Sequence, residues 1–136
     1  MKVFELAAVA FLRGREVLNV RKIGTHHVIL PGGKIEPGES AIDCAVRETH
    51  EELQLLVHKD DLTPLGRFTA DAANGDADEI HCTVFTAPWP RSGHPAPDNE
   101  IADYEWTDLL NCRDDPRQAP LLVNCVIPVL QARGVI

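Results

Sequence analysis

A glycine-containing turn followed by a helix rich in carboxylates is the part of this sequence best suited to chemistry. The turn is Pro-Gly-Gly at residues 31–33, and the carboxylates are Glu48, Glu51 and Glu52. Glycine lets main-chain amides and carbonyls approach a ligand without obstruction by a side chain. Carboxylates spaced at i, i+3 and i+4 meet on one flank of a helix, and negative charges held so close need a counter-ion. The pattern therefore predicts a cation site beside exposed backbone.

The helix that must hold these carboxylates has a visible start and a visible buried face. Pro37 and Gly38 form a tight turn before Ser40, an N-cap residue with Asp43 three positions further on. Apolar or small residues then recur at helical spacing and predict a face that packs against a sheet. These residues are Ile42, Ala45, Val46, Thr49 and Leu53. The glutamates lie off that face, so packing alone does not account for them.

Two interpretations of the acidic helix compete. In the first, it is a solvated helix in which Arg47 and Glu51 form an i, i+4 ion pair. In the second, it binds a hard divalent cation such as Mg²⁺ or Mn²⁺, which takes oxygen ligands and commonly bridges carboxylates to phosphates. The like charges and the glycine turn before the helix favour the second, because a purely structural helix needs neither.

This stretch resembles the Nudix box, written Gly-x5-Glu-x7-Arg-Glu-U-x-Glu-Glu-x-Gly-U with U aliphatic. The matching positions are Gly33, Glu39, Arg47, Glu48, Glu51, Glu52 and Leu55. Thr49 stands at an aliphatic position, and Gln54 replaces the glycine after the helix. A non-glycine residue in the left-handed conformation costs ~1 kcal/mol. We therefore expect the helix end to be shaped differently, or the helix to run on.

The segments around the box predict one domain of the α/β or α+β class. Strands are predicted at residues 2–12, 16–22, 28–30, 63–73, 79–87 and 102–106. A helix is predicted at 121–133, where Pro128 is tolerated only as a kink or near an end, and Gly134 is its predicted stop. A hairpin turn is predicted at 74–78 and an irregular loop at 88–99. The resemblance implies a single Nudix hydrolase domain over residues 1–136. Its fold would be an α/β/α sandwich, with a mixed sheet between the acidic helix and the C-terminal helix.

Composition excludes some classes of partner. The 136 residues carry a formal net charge of −8 and a pI of about 5.1, which argues against nucleic-acid polymers and anionic membranes. Small nucleotides remain compatible, because a bound metal ion reverses the local charge. Without a long apolar run or a signal-peptide pattern, we expect a cytoplasmic protein.

The cysteines predict neither a zinc site nor a disulfide framework. They are widely and irregularly spaced, at Cys44, Cys82, Cys112 and Cys125. We expect free thiols, most of them buried.

The resemblance implies Mg²⁺-dependent or Mn²⁺-dependent hydrolysis of a phosphoanhydride in a nucleoside diphosphate linked to another moiety. The metal ligands would be the carbonyl of Gly32 and the side chains of Glu48, Glu51, Glu52 and Glu100. Glu100, or Glu52 in its place, would be the general base, with Asp103 and Glu105 as substitutes for Glu100. Arg47 would orient Glu48, while Gly33 and Glu39 would shape the turn.

The substrate is less determined by the sequence than the reaction. Arg21, Lys22 and Lys34 are candidate phosphate contacts, and Asn124 is a candidate for reading a purine, as in relatives that hydrolyse mutagenic nucleotides. Oxidised nucleoside triphosphates, hydrolysed to a monophosphate and pyrophosphate, are one substrate class; ADP-sugars and dinucleoside polyphosphates are others. A ligand-sensing Nudix module or an isomerase-like enzyme is the alternative from a different class, which the complete carboxylate set disfavours. Many family members are dimers, so the resemblance allows a homodimer.

Overall fold

The computed structural model describes residues 1–75, 77–90, 95–98 and 100–136. Asp76 of the predicted hairpin turn lies outside the described residues. Residues 91–94 and 99 of the predicted loop over 88–99 also lie outside them.

The described part of the chain forms a six-stranded sheet and two main helical segments. The strands are β1 (Val3–Arg13), β2 (Glu16–Lys22), β3 (Gly32–Lys34), β4 (Thr63–Asp71), β5 (Glu79–Pro88) and β6 (Ile101–Asp108). Helix α1 spans Ala41–Leu53, and a 3₁₀ turn covers Lys59–Asp61. The C-terminal helix begins as a π-helical stretch at Leu121–Val126 and continues as helix α2 at Ile127–Ala132.

Strand β1 organises the sheet. The strand order is β4-β5-β1-β2-β6, and the short β3 also pairs with β1. β1 runs parallel to β5 and antiparallel to β2 and β3. The sheet is therefore mixed, as the resemblance implied.

Alternate residues of β1 face the two helical layers, because successive side chains of a strand point to opposite faces. Ala8 and Ala10 belong to the core cluster that packs on the C-terminal helix. Val9 and Phe11 belong to the cluster that packs on α1. The predicted α/β/α sandwich is thus confirmed, with the acidic helix on one face of the sheet and the C-terminal helix on the other.

The third predicted strand was misplaced. At 28–30 the chain makes only isolated bridges, from Val28 and Ile29, and the strand comes afterwards at Gly32–Lys34. A Cβ on Gly32 would collide with the carbonyl oxygen of Ala7 and lie 2.7 Å from Cα of Ala8. Glycine therefore allows β3 to approach β1 this closely, a contact that strand propensity does not anticipate.

The C-terminal helix departs from the regular helix predicted at 121–133. Pro128 has no N–H to donate, and just before it the N–H of Ile127 donates to the carbonyl of Leu122, which is π-helical spacing. The helix then ends at Ala132, and the predicted stop residue Gly134 follows two positions later with a φ of 72°.

The cysteines agree with expectation. Three of the cysteines are buried and Cys125 is half-buried, all as free thiols. Among the described helices, none combines the length and the apolar character that crossing a bilayer requires.

Helix α1 stops at Leu53, and Gln54 adopts the left-handed conformation that the box normally gives to glycine. Its φ and ψ are 55° and 33°, and its N–H donates to the carbonyl of His50 at 2.9 Å. The helix neither runs on nor ends differently, so the chain tolerates the backbone cost of a non-glycine residue there.

Replacing Gln54 by glycine is therefore expected to raise the free energy of unfolding by about 0.5–1 kcal/mol. The gain is partly offset, because the Gln54 side chain donates to the carbonyl of Ala96 at 3.2 Å. Urea unfolding curves measure the difference. Gln54→Ala is the matched control: it keeps the backbone strain and loses the amide, so it should be less stable than the wild type. A glycine variant no more stable than the alanine variant would contradict the assignment of strain.

Candidate functional site

Helix α1 begins where the sequence predicts and directs its carboxylates at β3. The side chain of Ser40 accepts a hydrogen bond from the N–H of Asp43 at 3.2 Å, which caps the first turn. The apolar face of the helix, including Cys44 and Leu53, packs on the sheet. Glu48 and Glu52 lie one turn apart on the side that meets the glycine turn.

Glu52 is the most deeply buried carboxylate of this group. Its side chain is 3% exposed, and it accepts a hydrogen bond from the N–H of Gly32 at 2.9 Å. Burial is the main cause that raises the pKa of Glu52, which reaches about 8; the charges of Glu48 and Glu100 also raise it, while the Gly32 hydrogen bond and Lys22 oppose the shift. At neutral pH this carboxyl can therefore hold or release a proton.

The backbone of Gly32 faces this carboxylate because of the register between β1 and β3. Val9 donates to the carbonyl of Pro31 at 2.9 Å, and Ile35 donates to that of Glu5 at 3.0 Å. Gly32 of β3 lies opposite Ala8 of β1, and these two residues form a non-hydrogen-bonded pair of the antiparallel ladder. Both its N–H and its C=O consequently point away from β1, and the N–H reaches Glu52.

Glu48 packs directly against Gly33. A Cβ on Gly33 would lie 2.5 Å from Oε1 of Glu48 and 2.6 Å from Oε2. Burial raises the pKa of Glu48, and the neighbouring Arg47 guanidinium lowers it in part. Glycine is required here because the carboxylate occupies the space of a side chain.

Arg47 joins the turn to the helix. Its Nε and Nη2 donate to both oxygens of Glu39, at 2.8 and 2.9 Å, and Nη1 donates to Glu48 at 2.9 Å. Nη2 also donates to the carbonyl of Lys34 at 3.1 Å. The guanidinium holds the pKa of Glu39 at about 2, assisted by the N–H of Glu36. One cation thus orients Glu48 and ties the end of β3 to the helix.

Arg47→Lys is expected to lower the free energy of unfolding by about 2 kcal/mol, because an ammonium cannot make the two-pronged contact to Glu39 while also holding Glu48 and a backbone carbonyl. Arg21→Lys is the matched control. Arg21 also contacts both oxygens of a carboxylate, that of Asp103, but at the exposed sheet edge, so Arg21→Lys should lower the free energy of unfolding much less than Arg47→Lys does. Denaturant unfolding measures both, and equal losses would show that Arg47 has no special role.

Glu51 differs from its neighbours. Its side chain is 43% exposed and lies 3.3 Å from Arg47, which is the i, i+4 pair of the solvated-helix interpretation. Within the described residues, no three side chains of the types His, Cys, Asp or Glu are grouped closely enough to hold a metal ion. The expected convergence is therefore seen for Glu48 and Glu52 but not for Glu51.

Glu100 reaches the same region from the loop before β6. Its side chain is 71% exposed, and its carboxylate lies 3.9 Å from Nζ of Lys22. Its carbonyl accepts the N–H of Ile23 at 2.8 Å. The suggested substitutes are engaged elsewhere: Asp103 pairs with Arg21, and Glu105 accepts from Arg117 at 3.2 Å. Of these three carboxylates, it is Glu100 whose negative charge raises the pKa of Glu52.

Residues 95–98 hold the loop before Glu100 against the end of α1, a contact that sequence reasoning missed. The N–H of Ala96 donates to the backbone carbonyl of Leu53 at 3.2 Å, and the N–H of Asp98 donates to the backbone carbonyl of Glu52 at 3.0 Å. Main-chain carbonyls at a helix end need such donors. Proline-rich composition indicates a loop but not where it docks.

The donor set fits a hard divalent cation. Glu52 lies against Gly32 and Glu48 lies against Gly33, and the carbonyl of Gly32 also points away from β1. The two carboxylates and this carbonyl are oxygen donors of the kind that Mg²⁺ and Mn²⁺ prefer. Burial of two carboxylates is unfavourable unless positive charge compensates it. The site therefore has the ligand chemistry for such an ion, with Arg47 already compensating part of the charge of Glu48.

A cavity of about 110 Å³ adjoins the glycine turn on the side of the C-terminal helix. Its walls are mainly apolar, with Lys22 and Lys34 next to the turn. The main wall residues are Phe4, Leu6, Ala8, Ile80, Cys82, Leu121 and Leu122, and Asn74 contributes an amide. This combination suits a ligand with an anionic end and an organic group.

Two of the predicted substrate contacts are not brought to this cavity. Arg21 is held by Asp103 and by the carbonyl of Thr25 at 3.0 Å. Asn124 is exposed, and the part of its segment that lines the cavity is Ala119, Leu121 and Leu122. Helical spacing cannot be judged from sequence when the helix starts in the π form. Phe4 and Asn74 were missed, because a strand residue and a turn residue carry no local signal of a shared cavity.

The family model described as NUDIX domain matches residues 3–125. Over 86 residues the chain is 35% identical to isopentenyl-diphosphate Delta-isomerase of Rhodobacter capsulatus. That match covers 61% of this chain and 48% of the relative, so the chain spans about half the length of the curated relative it matches.

Solved structures share the fold. The MutT protein of Methanosarcina mazei Go1 superposes with a TM-score of 0.77 at 16% identity, over 98% of this chain and 96% of that one. An Ap4A hydrolase of C. elegans, solved as a binary complex, superposes with a TM-score of 0.73 at 20% identity, over 96% and 97%. At these identities the likeness concerns the fold.

Proposed function

The chain belongs to the Nudix family, and from that premise we propose that it is a divalent-metal-dependent hydrolase of phosphoanhydrides, folded as a single domain over residues 1–136. The preferred substrate class is a nucleoside diphosphate linked to another moiety. The observation that carries the proposal is that Glu52 is buried and accepts a hydrogen bond from the N–H of Gly32, while Glu48 packs against the adjacent Gly33. Buried carboxylates at a side-chain-free turn are poorly explained by stability alone.

The residues that would hold Mg²⁺ or Mn²⁺ are Glu48, Glu52 and the carbonyl of Gly32, completed by Glu51 and Glu100. When bound, the ion supplies positive charge to phosphate oxygens and lowers the pKa of water near it. Arg47 keeps Glu48 oriented throughout through its contact at 2.9 Å.

Proton transfer would fall to Glu100 or Glu52, each of which is also a candidate metal ligand. Glu100 is exposed and sits beside Lys22, so it can accept a proton from the attacking water and pass it to solvent. Glu52, with its pKa raised to about 8, is the alternative base. With a nucleoside triphosphate, the products would be a monophosphate and pyrophosphate.

Lys22 and Lys34 would bind the phosphates, and the cavity would take the organic group. Oxidised nucleoside triphosphates, ADP-sugars and dinucleoside polyphosphates each combine phosphates with an organic group, as this arrangement requires. The exposure of Asn124 does not support its proposed contact with a purine. The acidic net charge is compatible with a small-molecule substrate and disfavours nucleic acid polymers and membranes as partners. A cytoplasmic location and a homodimer stay predictions.

A second substrate class is the diphosphate of a short apolar alcohol. The mainly aliphatic walls of the cavity favour it, because they offer few partners to the polar edge of a nucleobase. The 35% identical relative is named for isopentenyl diphosphate. The reaction proposed here remains hydrolysis, since the carboxylate set is complete.

A substrate panel tests the proposal. It should contain normal and oxidised nucleoside triphosphates, ADP-ribose, a dinucleoside polyphosphate and isopentenyl diphosphate, each with Mg²⁺ or Mn²⁺. Phosphate release is read directly and after adding inorganic pyrophosphatase. We expect metal-dependent turnover of at least one member, abolished by a chelator. Tight binding of a nucleotide without turnover of any member would instead support a ligand-sensing module.

A further inference from the structure

Phe4 and Lys34 lie on the same face of the sheet at the wall of the cavity. Leu6 pairs with Lys34 across β1 and β3, and Phe4 is the next residue of β1 on the face of Leu6. Nζ of Lys34 lies 3.8 Å from the centroid of the Phe4 ring. Both residues line the cavity, and Lys34 directly follows Gly33.

The setting of Lys34 differs from that of the other cations at the site. Arg47 contacts Glu39 and Glu48, and Lys22 lies near Glu100. Lys34, by contrast, forms no ion pair with any carboxylate in the described part of the chain and rests on an aromatic ring. A cation held by a ring keeps its charge available, whereas a carboxylate would neutralise it. In a chain with a net charge of −8, such a cation can still attract an anion.

We propose that Phe4 is a positioning residue for substrate binding: its ring holds the ammonium of Lys34 at the cavity, where it binds a phosphate of the substrate. This inference rests on the proposed function, because it takes the anionic end of the ligand to be a phosphate. The ring limits the freedom of a side chain that otherwise loses much rotamer entropy when it binds a ligand. Phe4 itself makes no contact with the phosphate.

Binding of inorganic pyrophosphate with Mg²⁺, measured by calorimetry, tests the proposal without requiring turnover. Phe4→Leu keeps an apolar side chain but removes the ring, and it should weaken binding by about 2- to 5-fold. Phe4→Tyr keeps the ring and should bind as the wild type does. Lys34→Ala should weaken binding by about 10-fold, and the double variant Phe4→Leu/Lys34→Ala should bind no more weakly than Lys34→Ala alone.

Lys2→Ala is the matched control, because Lys2 lies over the same ring at 5.1 Å. It should change the affinity by less than about twofold, since attraction to a ring falls with distance. Unfolding curves for the Phe4 variants check that β1 is intact. With the best substrate of the panel, Phe4→Leu should raise KM by the same factor and leave kcat unchanged.

Several results would overturn the inference. If Phe4→Leu still weakens pyrophosphate binding when Lys34 is already replaced by alanine, the ring acts by packing and not through Lys34. Failure of tyrosine to restore affinity, or no binding of pyrophosphate to the wild type, would also refute it. If the double variant behaves as expected but no panel member is hydrolysed, the proposed function fails and the role of Phe4 in anion binding stands.

Discussion

Replacing Glu52 by glutamine is expected to lower the rate of hydrolysis by about 10³-fold and, in the metal-free protein, to raise stability at alkaline pH. Glutamine has the same shape and can still accept the hydrogen bond from Gly32, so the fold should be retained. The substitution removes the negative charge that would bind the ion and the base that could accept a proton. Few substitutions lower activity and raise stability together, which makes the outcome diagnostic.

The pH dependence of stability follows from the raised pKa of Glu52. The folded state keeps the proton up to a pKa of about 8, whereas the unfolded chain releases it near the ordinary value of 4.5. Between these values the folded state binds more protons, so the free energy of unfolding falls as pH rises. The stabilisation is complete below about pH 4.5 and lost above about pH 8, with an upper limit of roughly 5 kcal/mol. Glu52→Gln should remove this part of the pH dependence.

Chemical denaturation between pH 5 and 9, with chelator and then with Mg²⁺, measures the effect. The wild type should lose stability as pH rises in chelator and regain it when Mg²⁺ is added, because the ion favours the charged carboxylate. The variant should show neither change. If both proteins have the same pH profile in chelator, Glu52 titrates normally and its burial carries no functional meaning.

Glu51→Gln is the comparison for activity, because Glu51 is the adjacent residue on the same helix. It should lower the rate by about 10²-fold if it joins the metal site. An unchanged rate would remove Glu51 from the ligands and leave Glu48, Glu52 and Glu100.

Replacing Gly33 by alanine is expected to reduce activity by about 10²-fold or more with little loss of stability. The added methyl group would occupy the position of the Glu48 carboxylate, which is the end of a flexible side chain and can move away. A carboxylate displaced by about an ångström would no longer hold the proposed ion in a productive geometry. Steady-state rates on the best substrate and denaturant unfolding give the two values.

Gly32→Ala is the matched control, because its main expected effect is on stability rather than on activity. Its methyl group would meet backbone atoms of Ala7 and Ala8, which cannot move without separating β3 from β1. We expect a loss of about 2 kcal/mol or more in the free energy of unfolding. If Gly33→Ala proves as unstable as Gly32→Ala, or keeps full activity, then the space beside Gly33 does not position Glu48.

Much of the fold follows from local pattern. The bounds of β2 and the start of α1 come from alternation, turn residues and the Ser40 cap, all of which act over a few residues. Local pattern could not place β3, because its position depends on how closely Gly32 approaches β1. It also missed the π-helical stretch before Pro128, where a missing donor changes the hydrogen bonding of the preceding turn.

The sequence by itself determined which helix carries the carboxylates and on which flank, because helical spacing is a local property. Only the tertiary structure decided that Glu52 is buried while its neighbour Glu51 stays half-exposed. It also decided that Glu100, rather than Asp103 or Glu105, acts on that site, and that Phe4 lines the cavity while Asn124 does not. The physical reason is that burial and electrostatic environment depend on which distant strand packs beside a residue, and residue spacing carries no record of that partner.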